Sequence, residues 1–108
     1  MEKNQRLLGM LGFAMRAGKL IIGTEMVCKA MKKKGTVLLV AVASDASEGT
    51  RKKISSKCEF YGIKTVQINM RTDELGAHLG KTYTPACVGI ADRGFAEQIE
   101  KAASSVGN

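Results

Sequence analysis

Thr36-Val37-Leu38-Leu39-Val40-Ala41-Val42-Ala43 is nearly all apolar and rich in branched side chains. A strand with one wet face alternates apolar and polar residues, so a run without alternation describes a strand buried on both faces, as in a parallel sheet. Such a strand needs one layer of helices above it and another below.

The flanking segments supply those layers. Leu7, Leu8, Leu11, Ala14 and Met15 recur at steps of three and four before Gly18, which predicts a helix over about Asn4–Ala17 ending in a glycine cap. Lys19-Leu20-Ile21-Ile22 is a short strand candidate leading to Gly23. From Gly23 to Gly35 the pattern is a two-faced helix, with Met26, Val27, Ala30 and Met31 on an apolar side and Lys29, Lys32 and Lys33 on the other. Asp45 and Glu48 have capping-box spacing. They open a helix in which Thr50, Ile54, Cys58 and Tyr61 face inward while Arg51, Lys52, Lys53 and Lys57 point away, up to Gly62. Ile63–Ile68 alternates as a less covered strand, Thr72 starts a short helix stopped by Gly80, and Ala86–Ala91 forms another buried strand. Asp92 caps a final helix with Phe95, Ile99 and Ala102 inward, and residues 104–108 are expected to fray. Crossovers of this length place helices on both faces, so the expected fold is α/β: a three-layer α/β/α sandwich with a small mixed sheet, a single domain over residues 1–108.

Charge narrows the partner. The chain of 108 residues carries a formal +7, and residues 1–35 hold eight Lys/Arg against Glu2 and Glu25 alone. A polarised basic end suggests a nucleic-acid face, the alternative being a Lys-rich solvated surface. No apolar run is long enough to span a membrane, and Gly9, Gly12 and Arg16 break the segment after the N-terminus, so neither a span nor a signal peptide is expected. The expected location is cytoplasmic. Cys28, Cys58 and Cys87 are odd in number and lack metal-ligand spacing, so they are expected as reduced core residues.

The start of the two-faced helix offers unpaired N–H groups behind Gly23, which suits a phosphate. Glu25 in that first turn suits the helix dipole; its sharper role is to accept hydrogen bonds from a guanine edge, which folded RNA exposes. Lys29, Lys32 and Lys33, with Arg16, Lys19 and Lys34, could neutralise several phosphates. Tyr83 and Pro85 lie in a loop where the ring either stacks on a base or rests on the core. With three Phe, two Tyr and no Trp, a broad stacking platform for single strands is hard to build, which favours a structured RNA. Asp45 and Asp92 follow buried strands and could hold magnesium, but both equally suit helix caps. His78 has no nucleophile partner beside it, and there is no P-loop. No catalysis, cofactor or metal is expected.

Five segments in register carry a resemblance. They are Ile21-Ile22-Gly23-Thr24 running into Lys29-Ala30-Met31; Ala43-Ser44-Asp45-Ala46; Cys58-Glu59-Phe60-Tyr61-Gly62-Ile63; Leu75-Gly76-Ala77-His78-Leu79-Gly80; and Val88-Gly89-Ile90-Ala91-Asp92. Over nearly the whole chain they resemble the kink-turn-binding ribosomal protein family, the L-seven-Ae/L-thirty-e group. Asp92-Arg93-Gly94-Phe95-Ala96 is similar to its small bacterial YlxQ-type branch. The resemblance implies an α/β/α sandwich that binds folded RNA without catalysis. It also implies contact through a Gly-x-Asn-Glu-x-x-Lys segment, which Gly23 and Lys29 match, while Glu25 and Met26 occupy the Asn and Glu positions. A second contact is implied in the loop corresponding to Lys81-Thr82-Tyr83.

The expected RNA-binding residues are therefore Gly23, Thr24, Glu25, Met26, Lys29, Lys32, Lys33, Lys81, Thr82 and Tyr83. The expected partner is a structured RNA such as ribosomal RNA, bound by a protein that is monomeric when free. The alternative is a protein-interaction adaptor on the same fold.

Overall fold

The computed structural model describes the backbone of residues 2–107 and the side chains of residues 5–103. Along the chain run α1 (Glu2–Arg16), β1 (Leu20–Ile22), α2 (Thr24–Met31), β2 (Leu39–Val42), α3 (Glu48–Tyr61), β3 (Lys64–Gln67), α4 (Thr72–His78), β4 (Cys87–Ile90) and α5 (Arg93–Gly107). The fraying expected at 104–108 concerns residues whose side chains, and for Asn108 the backbone too, lie outside those described.

The four strands form one mixed sheet in the order β1-β4-β2-β3. β2 is parallel to β3, and β4 lies between β1 and β2, antiparallel to both. β1, β2 and β3 thus point one way and β4 the other. β2 is buried at all four positions, as its sequence requires, although only one of its neighbours is parallel. Its burial comes from helices on both faces of the sheet, whatever the direction of the next strand.

Side-chain alternation divides the interior into two cores. Leu39, Ala41, Val88 and Ile90 meet Leu7, Leu11, Leu75 and Ile99 on the face covered by α1, α4 and α5. On the opposite face Val40, Val42 and Cys87 meet Val27, Met31, Ile54 and Cys58 from α2 and α3. Each fully buried Leu, Ile or Val contributes about 1.5–3 kcal/mol relative to exposure. At Gly89 a Cβ would lie 3.4 Å from a Val27 methyl and 3.3 Å from one of Val37, so the missing side chain lets α2 sit directly on the β4 backbone.

Three expectations change in the folded chain. Ser47, rather than Asp45, caps α3, its Oγ accepting from the Thr50 N–H at 3.2 Å. Asp45 reaches across to α4, accepting from the Thr72 N–H at 2.7 Å and from the Thr72 hydroxyl at 3.2 Å. Arg51 does not point away. Its guanidinium donates to the carbonyls of Ser44 (2.6 Å), Ala43 (3.2 Å) and Ala46 (3.1 Å) and to Gln67 Oε1 (2.7 Å). A charged, planar group with five donors can hold the turn after β2 and fasten it to β3, which an outward lysine cannot do. Tyr61, expected inward, is 36 % exposed at the last position of α3.

Because Arg51 satisfies several carbonyls at once, Arg51→Lys is expected to lower unfolding stability by about 1–3 kcal/mol in denaturant titration. An unchanged midpoint would show that water replaces the fork without loss. The Asp45 carboxyl is held below its ordinary 3.8, chiefly by the Thr72 backbone N–H. A depressed folded-state pKa adds stability above the unfolded value and loses it as pH falls through the folded one. The melting temperature of Asp45→Ala should therefore lie below that of the wild-type protein at neutral pH, and the gap should narrow on acidification below 3.8.

Candidate nucleic-acid interface

Strand direction decides which loops meet. The ends of β1, β2 and β3 and the start of β4 share one edge of the sheet, called here the front edge. The front edge carries the start of α2, the turn after β2, the start of α4 and the loop 81–86. The opposite, rear edge carries the ends of α1, α2 and α3 and the start of α5.

At the front edge Gly23 is the N-cap of α2 with φ 99°, a backbone conformation that side chains strongly disfavour. Its N–H donates to the Cys87 carbonyl at 3.0 Å, which draws the start of α2 against the start of β4. No side chain caps α2, so its first-turn N–H groups have no side-chain partner among the described residues. Thr24 is half-buried, its hydroxyl 3.9 Å from Cys87 Sγ. Burial pushes the Cys87 thiol up to about 11, so a neutral thiol, not a thiolate, lies beneath this helix start.

Glu25 and Met26 stand outward. Met26, expected in the core, is 57 % exposed, and Cys28 takes the buried place instead. A helix this short presents only a narrow stripe to the sheet, and Val27, Cys28 and Met31 fill it. Lys29 is exposed one turn beyond Glu25, on the same side. Neither of the two salt bridges among the described residues involves Glu25 or Lys29.

The loop 81–86 arrives beside this helix start because Ala86 and Cys87 join the sheet there. It is strapped to α4: the Lys81 N–H donates to the Gly76 carbonyl at 2.8 Å, and the Tyr83 carbonyl and Pro85 ring pack onto Gly76 where any side chain would collide. Pro85 is buried, while Lys81, Thr82 and Tyr83 are exposed. The Tyr83 ring is 51 % exposed and does not fold back into the core.

Lys32 and Lys33 do not join this group. Eight residues of helix carry them about 12 Å from Thr24 to the rear edge, where they line a cleft with Phe60 and Tyr61. The expected set therefore divides into Gly23, Thr24, Glu25, Met26 and Lys81–Tyr83 at the front, Lys29 between, and Lys32 and Lys33 at the rear. Phe60 also lines that cleft and is not among the expected site residues, although Lys53, Lys57 and Phe60 stand at i, i+4 and i+7, on one outer face of α3.

The two aspartates do not form a metal pair. β2 and β4 are antiparallel, so Asp45 follows β2 at the front edge and Asp92 follows β4 at the rear. Asp92 caps α5 by accepting from the Phe95 N–H at 3.0 Å. Among the described residues no helix is long and apolar enough to cross a membrane.

Comparison with known proteins agrees with this architecture. Residues 5–100 match the model of the ribosomal protein L7Ae/L30e/S12e/Gadd45 family. The chain is 36% identical over 98 residues to the RNA-binding protein YlxQ of Enterococcus faecium, covering 90% of each. It is 33% identical over 90 residues to that of Bacillus subtilis strain 168, covering 83% of this chain and 87% of the other. A solved structure of a protein of unknown function from Bacillus halodurans C superposes with a TM-score of 0.80 at 36% identity, covering 91% of this chain and 96% of that one. A family model matched over residues 5–100, together with two relatives above 30% identity over most of their length, places the chain in the ribosomal protein L7Ae/L30e/S12e/Gadd45 family, in its bacterial YlxQ branch.

Proposed function

We propose that this chain is a non-catalytic RNA-binding protein, cytoplasmic and ribosomal or ribosome-associated, that grips a structured, kink-turn-like RNA along its front edge. The observation that carries the reading is the Gly23 N–H bond to the Cys87 carbonyl, which sets an uncapped helix start beside the exposed loop 81–84. The RNA-binding relatives and the family match support it.

Each residue has a task that its chemistry allows. Lys29 and Lys81 supply positive charge for phosphates, which adds affinity without reading sequence. The free N–H groups of the first turn of α2 suit a phosphate or a base acceptor. Glu25 accepts hydrogen bonds from the N1–H and N2–H groups of a guanine exposed in a non-Watson–Crick pair. Met26 offers an adaptable apolar surface beside it, and Tyr83 offers a ring for a looped-out nucleotide. Gly76 acts at a distance by letting α4 support the loop that carries Tyr83. The exposed Met26, at a position where the family pattern has Glu, also suits an adaptor that binds protein; affinity for RNA that barely responds to salt would favour that second reading.

Gel-shift titration of a kink-turn RNA against an unrelated duplex of equal length tests the proposal. The kink-turn should bind tighter, and equal affinities would remove the structural specificity. Lys29→Ala with Lys81→Ala should flatten the plot of log K against log salt by about 0.9 for each phosphate contact removed. Glu25→Ala should narrow the preference for the kink-turn by about 1–3 kcal/mol while changing total affinity less. If instead every RNA bound tighter, Glu25 would be only a helix-end charge.

A further inference from the structure

Among the described residues, the strongest concentration of positive charge outside any salt bridge lies at the other end of α2. Lys32, Lys33 and Lys34 follow its last turn and are all exposed. They form one wall of a cleft of about 550 Å³ whose other wall is Phe60 and Tyr61, at the end of α3. Phe60 and Tyr61 also line an adjoining depression of about 390 Å³ with Lys53 and Lys57. The aromatic pair is thus a ridge with lysines on both sides. Neither salt bridge among the described residues uses any of these lysines.

The ordinary account of Lys32–Lys34 is that cations favour a helix C-terminus. That account leaves Phe60 unexplained. At 80 % exposure it is the most exposed large apolar side chain among those described, left in water where burial would be favourable. Tyr61 holds its ring edge-on to Phe60, centroids 4.9 Å apart at 89°, which braces Phe60 and keeps its orientation defined. Gly62, at φ 70°, ends α3 directly after the pair and turns the chain back into β3, leaving the two rings at the rim.

We propose that this rear cleft is a second RNA contact that takes a single-stranded segment, with a base stacked on Phe60 and its flanking phosphates on Lys32–Lys34 and on Lys53 and Lys57. The inference rests on the RNA-binding reading above. An aromatic ring between rows of lysines matches a strand that alternates flat, apolar bases with charged phosphates, and base stacking on such a ring is indifferent to sequence. A duplex keeps its bases stacked on each other and would leave Phe60 unused. Continuity favours RNA over an acidic protein: Met26 and Lys29 stand at i and i+3 on the exposed side of α2, and the exposed Lys32–Lys34 follow its last turn, so the exposed side runs from the front edge to the cleft. An RNA folded against the front edge can therefore pass its single-stranded extension down α2 and into the rear cleft.

The test is fluorescence anisotropy with two RNAs: a labelled 12-nucleotide oligouridylate, which cannot form a kink-turn, and a blunt kink-turn RNA without single-stranded ends. Phe60→Ala should weaken oligouridylate binding about tenfold, the scale of one stacked base, and Phe60→Trp should restore it. Neither should change affinity for the blunt kink-turn by more than twofold. The Lys32→Gln, Lys33→Gln, Lys34→Gln triple variant should lower the salt slope for oligouridylate by about 2, at 0.7 for each phosphate. Unchanged oligouridylate binding in Phe60→Ala overturns the proposal. So does polyglutamate that competes as well as the oligonucleotide and loses affinity with Phe60, which would assign the cleft to an acidic protein. Wild-type protein that binds the kink-turn but not the oligonucleotide defeats this inference alone; protein that binds neither RNA defeats the reading on which it rests.

Discussion

The arrangement of this protein depends on the insertion of β4, antiparallel, between β1 and β2. The last strand of the chain becomes a central strand of the sheet, buried at every position, and closes the ladder on both sides. Its direction matters as much as its place. Because β4 alone runs against the other three, its amino end lies beside their carboxyl ends, and the loop before it meets the turn between β1 and α2. Gly23 and Cys87, far apart in sequence, are joined there by one backbone hydrogen bond. Without that pairing the uncapped start of α2 and the Lys81–Tyr83 loop would be unrelated surfaces.

Around that edge, the polar groups that hold the fold are separate from those left facing solvent. Arg51 and Asp45 are absorbed internally, Arg51 by the turn after β2 and by Gln67, Asp45 by Thr72 at the start of α4. In turn α4 presents Gly76 as a surface on which the loop carrying Tyr83 rests. The path from the end of β2 through Asp45 and α4 to Tyr83 is a continuous set of contacts, so the loop has a rigid support although its own side chains face solvent. By contrast Glu25, Met26 and Lys29 have no hydrogen bond or salt bridge from their side chains within the described structure.

Much of this was legible from the chain. The unbroken apolar run around Val40 implied helices on both faces, and both are present; the alternation over Ile63–Ile68 implied a poorly covered strand, and β3 is the exposed edge. The capping role of Asp92 and the outward setting of Lys29 also followed from local spacing. What failed was of one kind. Asp45 and Glu48 have the spacing of a capping box, but Ser47 lies closer to the helix and the Asp45 carboxylate finds the N–H of a residue 27 positions later. Arg51 sits among lysines on the outer face of α3 and looks like one of them; only the folded turn after β2 supplies the carbonyls that turn it inward. Met26 fits an apolar stripe on a helical wheel, but α2 touches the sheet along a line narrower than that stripe.

Local rules therefore determined the order of the elements, the Asp92 cap and which strands are doubly covered, because period, glycine stops and branched residues act over a few positions. Sequence also determined that the first third of the chain is basic. Only the tertiary structure decided where that charge goes. A helix separates its two ends by its own length, so Lys29 stays near Glu25 while Lys32 and Lys33 are delivered to the rear edge beside Phe60, a residue from another helix. Adjacency across a sheet is set by strand order and direction, and these arise from the global packing of two cores, which no window of neighbouring residues contains.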